Sequence, residues 1–179
     1  MPIVLIGLVI GGLLSLAYFS MSSPTPQTIT DVDERDIEAL ARMIASETRA
    51  NDKPIIKIAV CWVCKNEAER KGKTVHDLVM PGGVPSGQNT GGRFVSTRNS
   101  GTDEGREIAR QVMSGEVSDP TNNSIQFDSP VAQRAALARN VLNYSKTPEQ
   151  IAESRMNEGK EMVGLPGIST DYIRFWRYA

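Results

Sequence analysis

The stretch "IIKIAVCWVC", Ile55 to Cys64, constrains the fold most, because it is apolar at every position except Lys57. A helix that is apolar almost all round has no face to give to water, so other elements must surround it. The chain therefore reads as helices wrapped on one central helix. Pro54 suits the first helical position, and the run turns polar at Lys65 and should stop at Gly72. A length of 179 residues suggests one domain, and 40% hydrophobic residues is ample for its core. The formal net charge is −1, and no Lys or Arg cluster forms a stripe. Nucleic acid is therefore not an expected partner.

The elements around this helix follow from spacing. Asp31 and Glu34 read as a capping pair. Ile37, Leu40, Ala41, Ile44 and Ala45 then recur at helical intervals, predicting a helix that ends near Glu47 to Arg49. "TVHDLVM" reads as a short helix capped by Thr74 and Asp77 and ended by Pro81-Gly82-Gly83. From Pro81 to Thr102 run 22 residues with six glycines, and irregular segments of that length are often functional. Within it "RFVST" (Arg93 to Thr97) predicts a short strand, with "SIQF" (Ser124 to Phe127) as its partner. A helix is expected from about Asp103 to Ser114, with Ile108, Ala109, Val112 and Met113 inward. Another starts at Ser129-Pro130 and should run to about Tyr144. Thr147-Pro148-Glu149-Gln150 carries a cap, a first-position Pro and a capping-box Gln. The aromatic tail should pack back on the core. The fold class is α+β, helix-dominated, with a small glycine-rich β insertion.

Residues Pro2 to Ser20 contain no charged side chain. A membrane-spanning helix needs roughly 20 apolar residues. A signal peptide is the alternative, but it needs a basic start and a shorter apolar centre, and no Lys or Arg occurs before Arg35. The length of the run favours an uncleaved single-pass anchor over 1–20, followed by a Ser/Pro/Thr linker over 21–30 and a folded domain over 31–179. The bulk of the chain is expected outside the cytoplasm, in a bacterial envelope or on the membrane of a phage virion.

Several residues carry candidate chemistry. Glu47 lies where the first helix leaves its apolar face, and a carboxyl at such an edge can donate a proton to a glycosidic oxygen. The plainer reading is a solvated Glu in the last turn, which the helix dipole disfavours. Cys61 and Cys64 form a lone CxxC inside the apolar run. A zinc site needs about four ligands, and the chain has one His, His76. The two thiols therefore read as buried small hydrophobes, and neither a metal nor another cofactor is inferred. A single His gives a Ser-His-Asp arrangement little support. "PGGVPSGQNTGG" lacks the lysine spacing of a phosphate loop and reads better as a cleft wall. Gln126 and Asp128 suit sugar hydroxyls or N-acetyl groups and Phe127 suits ring stacking. An edge strand with ordinary alternation explains them equally well.

Glu47-Thr48-Arg49, then Ile58-Ala59-Val60 and Asn66, then Gly115, Asp119-Pro120-Thr121, Ser124-Ile125-Gln126-Phe127 and Pro130 follow one another in a familiar order. In these motifs the chain resembles the cell-wall hydrolases related to spore-cortex-lytic enzymes (SleB-like), over roughly Asp36 to Pro130. It departs from their pattern at Asn122-Asn123, where Gly-Gly is usual, at Glu67, where Arg is usual, and near Gln126 and Asp128, where aromatics are usual. The resemblance implies a lysozyme-like fold and a peptidoglycan glycan strand as substrate. It also implies lytic transglycosylase chemistry at the bond between N-acetylmuramic acid and N-acetylglucosamine, with Glu47 as the catalytic acid. One carboxyl can act first as acid and then as base. A hydrolytic muramidase or glucosaminidase would need a second carboxylate, for which Asp52, Asp119 and Asp128 are candidates. Ser96, Thr97, Gln126, Phe127 and Asp128 are the expected cleft lining. The competing class is an inactive, membrane-anchored structural or binding protein with envelope or virion partners.

Overall fold

In the computed structural model, which describes residues 33–81, 99–141 and 145–179, the central helix is α2 (Pro54–Arg70). Ile56, Ala59, Val60, Cys61, Val63, Cys64 and Ala68 are buried along it. It ends because Gly72 takes φ +61°, a left-handed turn that lets Lys73 N–H return to the Ala68 carbonyl at 3.0 Å. α1 (Glu34–Glu47) packs beside it through Ile37, Leu40, Met43 and Ile44. Its cap is Asp33, whose carboxylate accepts the Arg35 backbone N–H at 2.8 Å. The expected cap, Asp31, lies outside the described residues.

α3 (Val75–Val79) is capped by Thr74. The buried Asp36 of α1 holds it by accepting the His76 backbone N–H at 2.6 Å. α4 (Asp103–Met113) turns Ile108, Ala109 and Val112 into the core. It can approach α1 because Gly105 has no side chain: a Cβ there would sit 3.3 Å from Ala41 Cα.

The sheet differs from the expected insertion. β1 (Gln126–Asp128) pairs antiparallel with β3 (Arg174–Tyr178), and β2 (Lys160–Val163) flanks β3 on its other side. "SIQF" thus contributes its last residues to a sheet completed by the C-terminal tail, and "RFVST" lies outside the described residues. The pairing is driven by burial. Phe127 sits opposite Phe175, their rings 6.2 Å apart at 43°, and Phe175 is fully buried. α5 (Pro130–Ala138) ends earlier than its spacing suggests. Asn140 at φ +50° turns the chain out, with Val141 N–H bonded to the Ala136 carbonyl. α6 (Pro148–Asn157) carries the expected capping box between Thr147 and Gln150.

The expected fold class needs correction. Among the described residues no helix is long and apolar enough to cross a membrane, and the span expected over 1–20 lies outside them. The longest described helix, α2, has 17 residues and ends in Lys65, Glu67, Glu69 and Arg70. Its apolar surface is consumed by this domain's own core. The architecture is helix-rich with a small three-stranded sheet, and among the described residues no helix upholds the expected membrane-anchored localisation.

Candidate functional site

α1 ends at Glu47 because Thr48 turns extended and closes the helix on itself, its Oγ1 donating to the Ile44 carbonyl at 2.7 Å. Asn99 secures the same end from outside the helix. Its side-chain amide donates to the Ala45 carbonyl at 3.0 Å, and its own carbonyl accepts from Arg42 Nε at 3.2 Å. Glu47 is half-buried. Its chain neighbours Ala45, Thr48 and Arg49, but not Glu47 itself, line a cavity of about 180 Å³ together with Lys57, Thr102 and Glu104.

The charges around this cavity are ordered. Lys57, the lone charge of the apolar run, is buried at 4% exposure. Its ammonium donates to both Glu104 oxygens at 2.9 and 2.8 Å and to the Ala50 carbonyl at 3.1 Å. An ammonium in that position needs a carboxylate and further acceptors, and it finds them at the cavity wall. Arg49 lies over the Tyr172 ring, 5.8 Å from its centroid. Asp52 accepts from the Tyr172 hydroxyl and, at 2.8 Å, from Arg49 N–H. That bond to Asp52 leads the causes that raise the Tyr172 pKa, followed by burial.

The other candidate carboxylates are held elsewhere. Asp119 accepts Thr121 N–H at 2.7 Å, Thr121 Oγ1 at 2.6 Å, Asn123 N–H at 2.8 Å and Asn66 Nδ2 at 3.0 Å. Burial pushes its pKa up, but these hydrogen bonds, led by that of Thr121, outweigh it and hold the carboxyl below its ordinary value. Asn66 also donates to the Ser124 carbonyl at 3.1 Å, so residues 53 to 58 positions apart close into one clasp. Asp128 is paired with Arg174 and accepts from the Trp176 indole. Gln126 Oε1 accepts from Lys160 at 2.9 Å, and Phe127 packs on Phe175. The three β1 side chains proposed for sugar contact therefore join the sheet together. Ser96 and Thr97 lie outside the described residues.

Cys61 and Cys64 are buried thiols that form no disulfide, and burial pushes the Cys61 thiol well up, with Cys64 adding to it. No cluster of His, Cys, Asp and Glu suited to a metal occurs among the described residues. Sequence reasoning missed Asn99, Tyr172 and the Lys57–Glu104 pair. Only Lys57 had a signal: a lone charge in a buried helix requires a partner somewhere. Comparison with known protein families, curated proteins and solved structures finds no match to this chain.

Proposed function

We propose that the chain cleaves peptidoglycan as a lytic transglycosylase, with Glu47 as its single acid and base. The observation that supports this most is the distribution of carboxylates. Glu47 stands half-buried at the end of α1, next in sequence to Thr48 and Arg49, which line a cavity that Glu47 itself does not line. Asp119 and Asp128 are occupied by internal donors, Asp52 is held by Tyr172 and Arg49, and Glu104, which lines the cavity, is paired with the buried Lys57. Hydrolysis with a second carboxylate as nucleophile or water-activating base has little to draw on. The single-carboxyl route needs none.

In that route protonated Glu47 donates to the bridging oxygen as the bond to the muramyl C1 breaks. The substrate's own N-acetyl group stabilises the electron-poor centre. Glu47, now a carboxylate, takes the proton of the C6 hydroxyl, whose oxygen closes on C1 as a 1,6-anhydro ring. The motif order around Asn66 and Asp119, similar to that of the cell-wall hydrolases, adds to this reading.

The test is incubation with purified peptidoglycan and mass analysis of the fragments. Anhydro-muramyl ends are the expected product. New reducing ends would point to hydrolysis, and an intact glycan to a binding role. Glu47→Gln should lower turnover by about 10²–10⁴-fold while leaving the circular dichroism spectrum unchanged. A fully active Gln variant would exclude Glu47.

A further inference from the structure

A second groove, of about 350 Å³, is lined by Asn66, Arg70, Asn122, Asn123, Ile125 and Tyr178. That volume is within the usual range of small-ligand sites. Along α2, Asn66 stands nine residues beyond Lys57, about 13 Å at 1.5 Å per residue. The groove is therefore separate from the cavity beside Glu47.

Its floor contains an unusual turn. Asn122 and Asn123 are consecutive and both left-handed, at φ 50° and 62°. Glycine adopts that conformation at no steric cost, and asparagine is one of the few other residues to tolerate it. Two glycines would satisfy the turn; asparagines add two primary amides. Both residues are exposed. Their backbones are engaged, Asn123 N–H with Asp119 and the Asn122 carbonyl with Arg177 at 3.4 Å. Among the described residues, their side-chain amides have no hydrogen-bond partner.

The groove's arginines are already ion-paired. Arg70 pairs with Glu67 at 2.7 Å, and Arg177, which also lines the groove, pairs with Glu161. Glu67 is shared with Lys71 at 3.0 Å, and the Glu69 carboxylate also lines the groove, so an anion would meet guanidinium groups already paired and a carboxylate beside them. The aromatic wall is Tyr178, 53% exposed, with Lys160 over its ring at 5.2 Å. An exposed ring, planar amides and ion-paired guanidinium groups suit a ligand with an apolar C–H face and many neutral hydrogen-bonding groups.

We propose that this groove binds an uncharged N-acetylated oligosaccharide, as a second glycan site. The inference goes beyond the cleavage reading and does not depend on Glu47. The experiment is titration of the full chain with chitotetraose, followed through backbone and Asn side-chain amide resonances. Saturable shifts are expected at residues 66–70, 122–125 and 177–178. Replacing both asparagines, Asn122→Gly with Asn123→Gly, keeps the turn and removes only the amides, and should weaken binding by about tenfold. Tyr178→Ala should do the same. Glu47→Gln should bind as tightly as the parent, so failure of the cleavage reading and failure of this one are distinct results. No shift at the groove, shifts that survive both sets of substitutions, or a response there to a stem tetrapeptide or inorganic phosphate in place of chitotetraose would overturn the proposal.

Discussion

Lys57 and Glu104 show how differently two ends of one ion pair weigh. The lysine side chain is 5% exposed and the glutamate 56%. Glu104→Ala leaves an ammonium in the core with only the Ala50 carbonyl to accept from it, and should cost about 2 kcal/mol. Lys57→Met removes the buried charge and leaves a carboxylate that water can reach, and should cost less than about 1 kcal/mol. Urea titration of the two variants checks the order, and equal losses would contradict it. Asp119 carries a pH dependence. Its folded pKa is depressed, so its contribution is present above the unfolded value, about 3.9, and is lost as pH falls through the folded one. Asp119→Asn should cost about 1–3 kcal/mol at pH 7. The difference from the parent should shrink as pH is lowered from about 5 towards 2, in denaturation curves at several pH values.

At the scale of elements, the contact of α4 with α1 depends on missing side chains. A Cβ at Gly101 would lie 2.8 Å from Ala41 Cβ, closer than two carbons sit. Gly101→Ala should therefore push the segment leading into α4 off α1, at about 1–3 kcal/mol. That segment carries Asn99, which holds the helix end at Ala45. On the proposed function, the same variant should reduce glycan cleavage more than its lost stability explains, measured at a temperature where it remains folded. Helix starts were legible at this scale because caps are local: Thr74, Thr147 and Pro54 each act within one turn. The end of α5 and the partner of β1 were not legible. A left-handed Asn140 and a strand 46 residues away, joined through Asp128 and Arg174, leave no local mark.

For the molecule as a whole, one consequence of the wrapped central helix is chemical. Cys61 and Cys64 are at 0% exposure, so thiol labelling of the native protein should be slow and should follow unfolding, accelerating in urea as the cooperative transition is crossed. Rapid labelling in buffer would mean that α2 is not enclosed as described. By itself the sequence determined the burial of α2, the helical periods around it, the caps of α3 and α6 and the edge position of Glu47, because each depends on residues within a few turns. Only the tertiary structure decided what stands beside that edge. Lys57 with Glu104, Asn99 on Ala45 and Tyr172 on Asp52 stand near it, the clasp of Asn66 on Asp119 lies further along α2, and all four join residues 47 to 120 positions apart. Periodicity reports which face of a helix is buried, but a hydrogen bond across the fold forms only when packing brings a donor within reach of its acceptor.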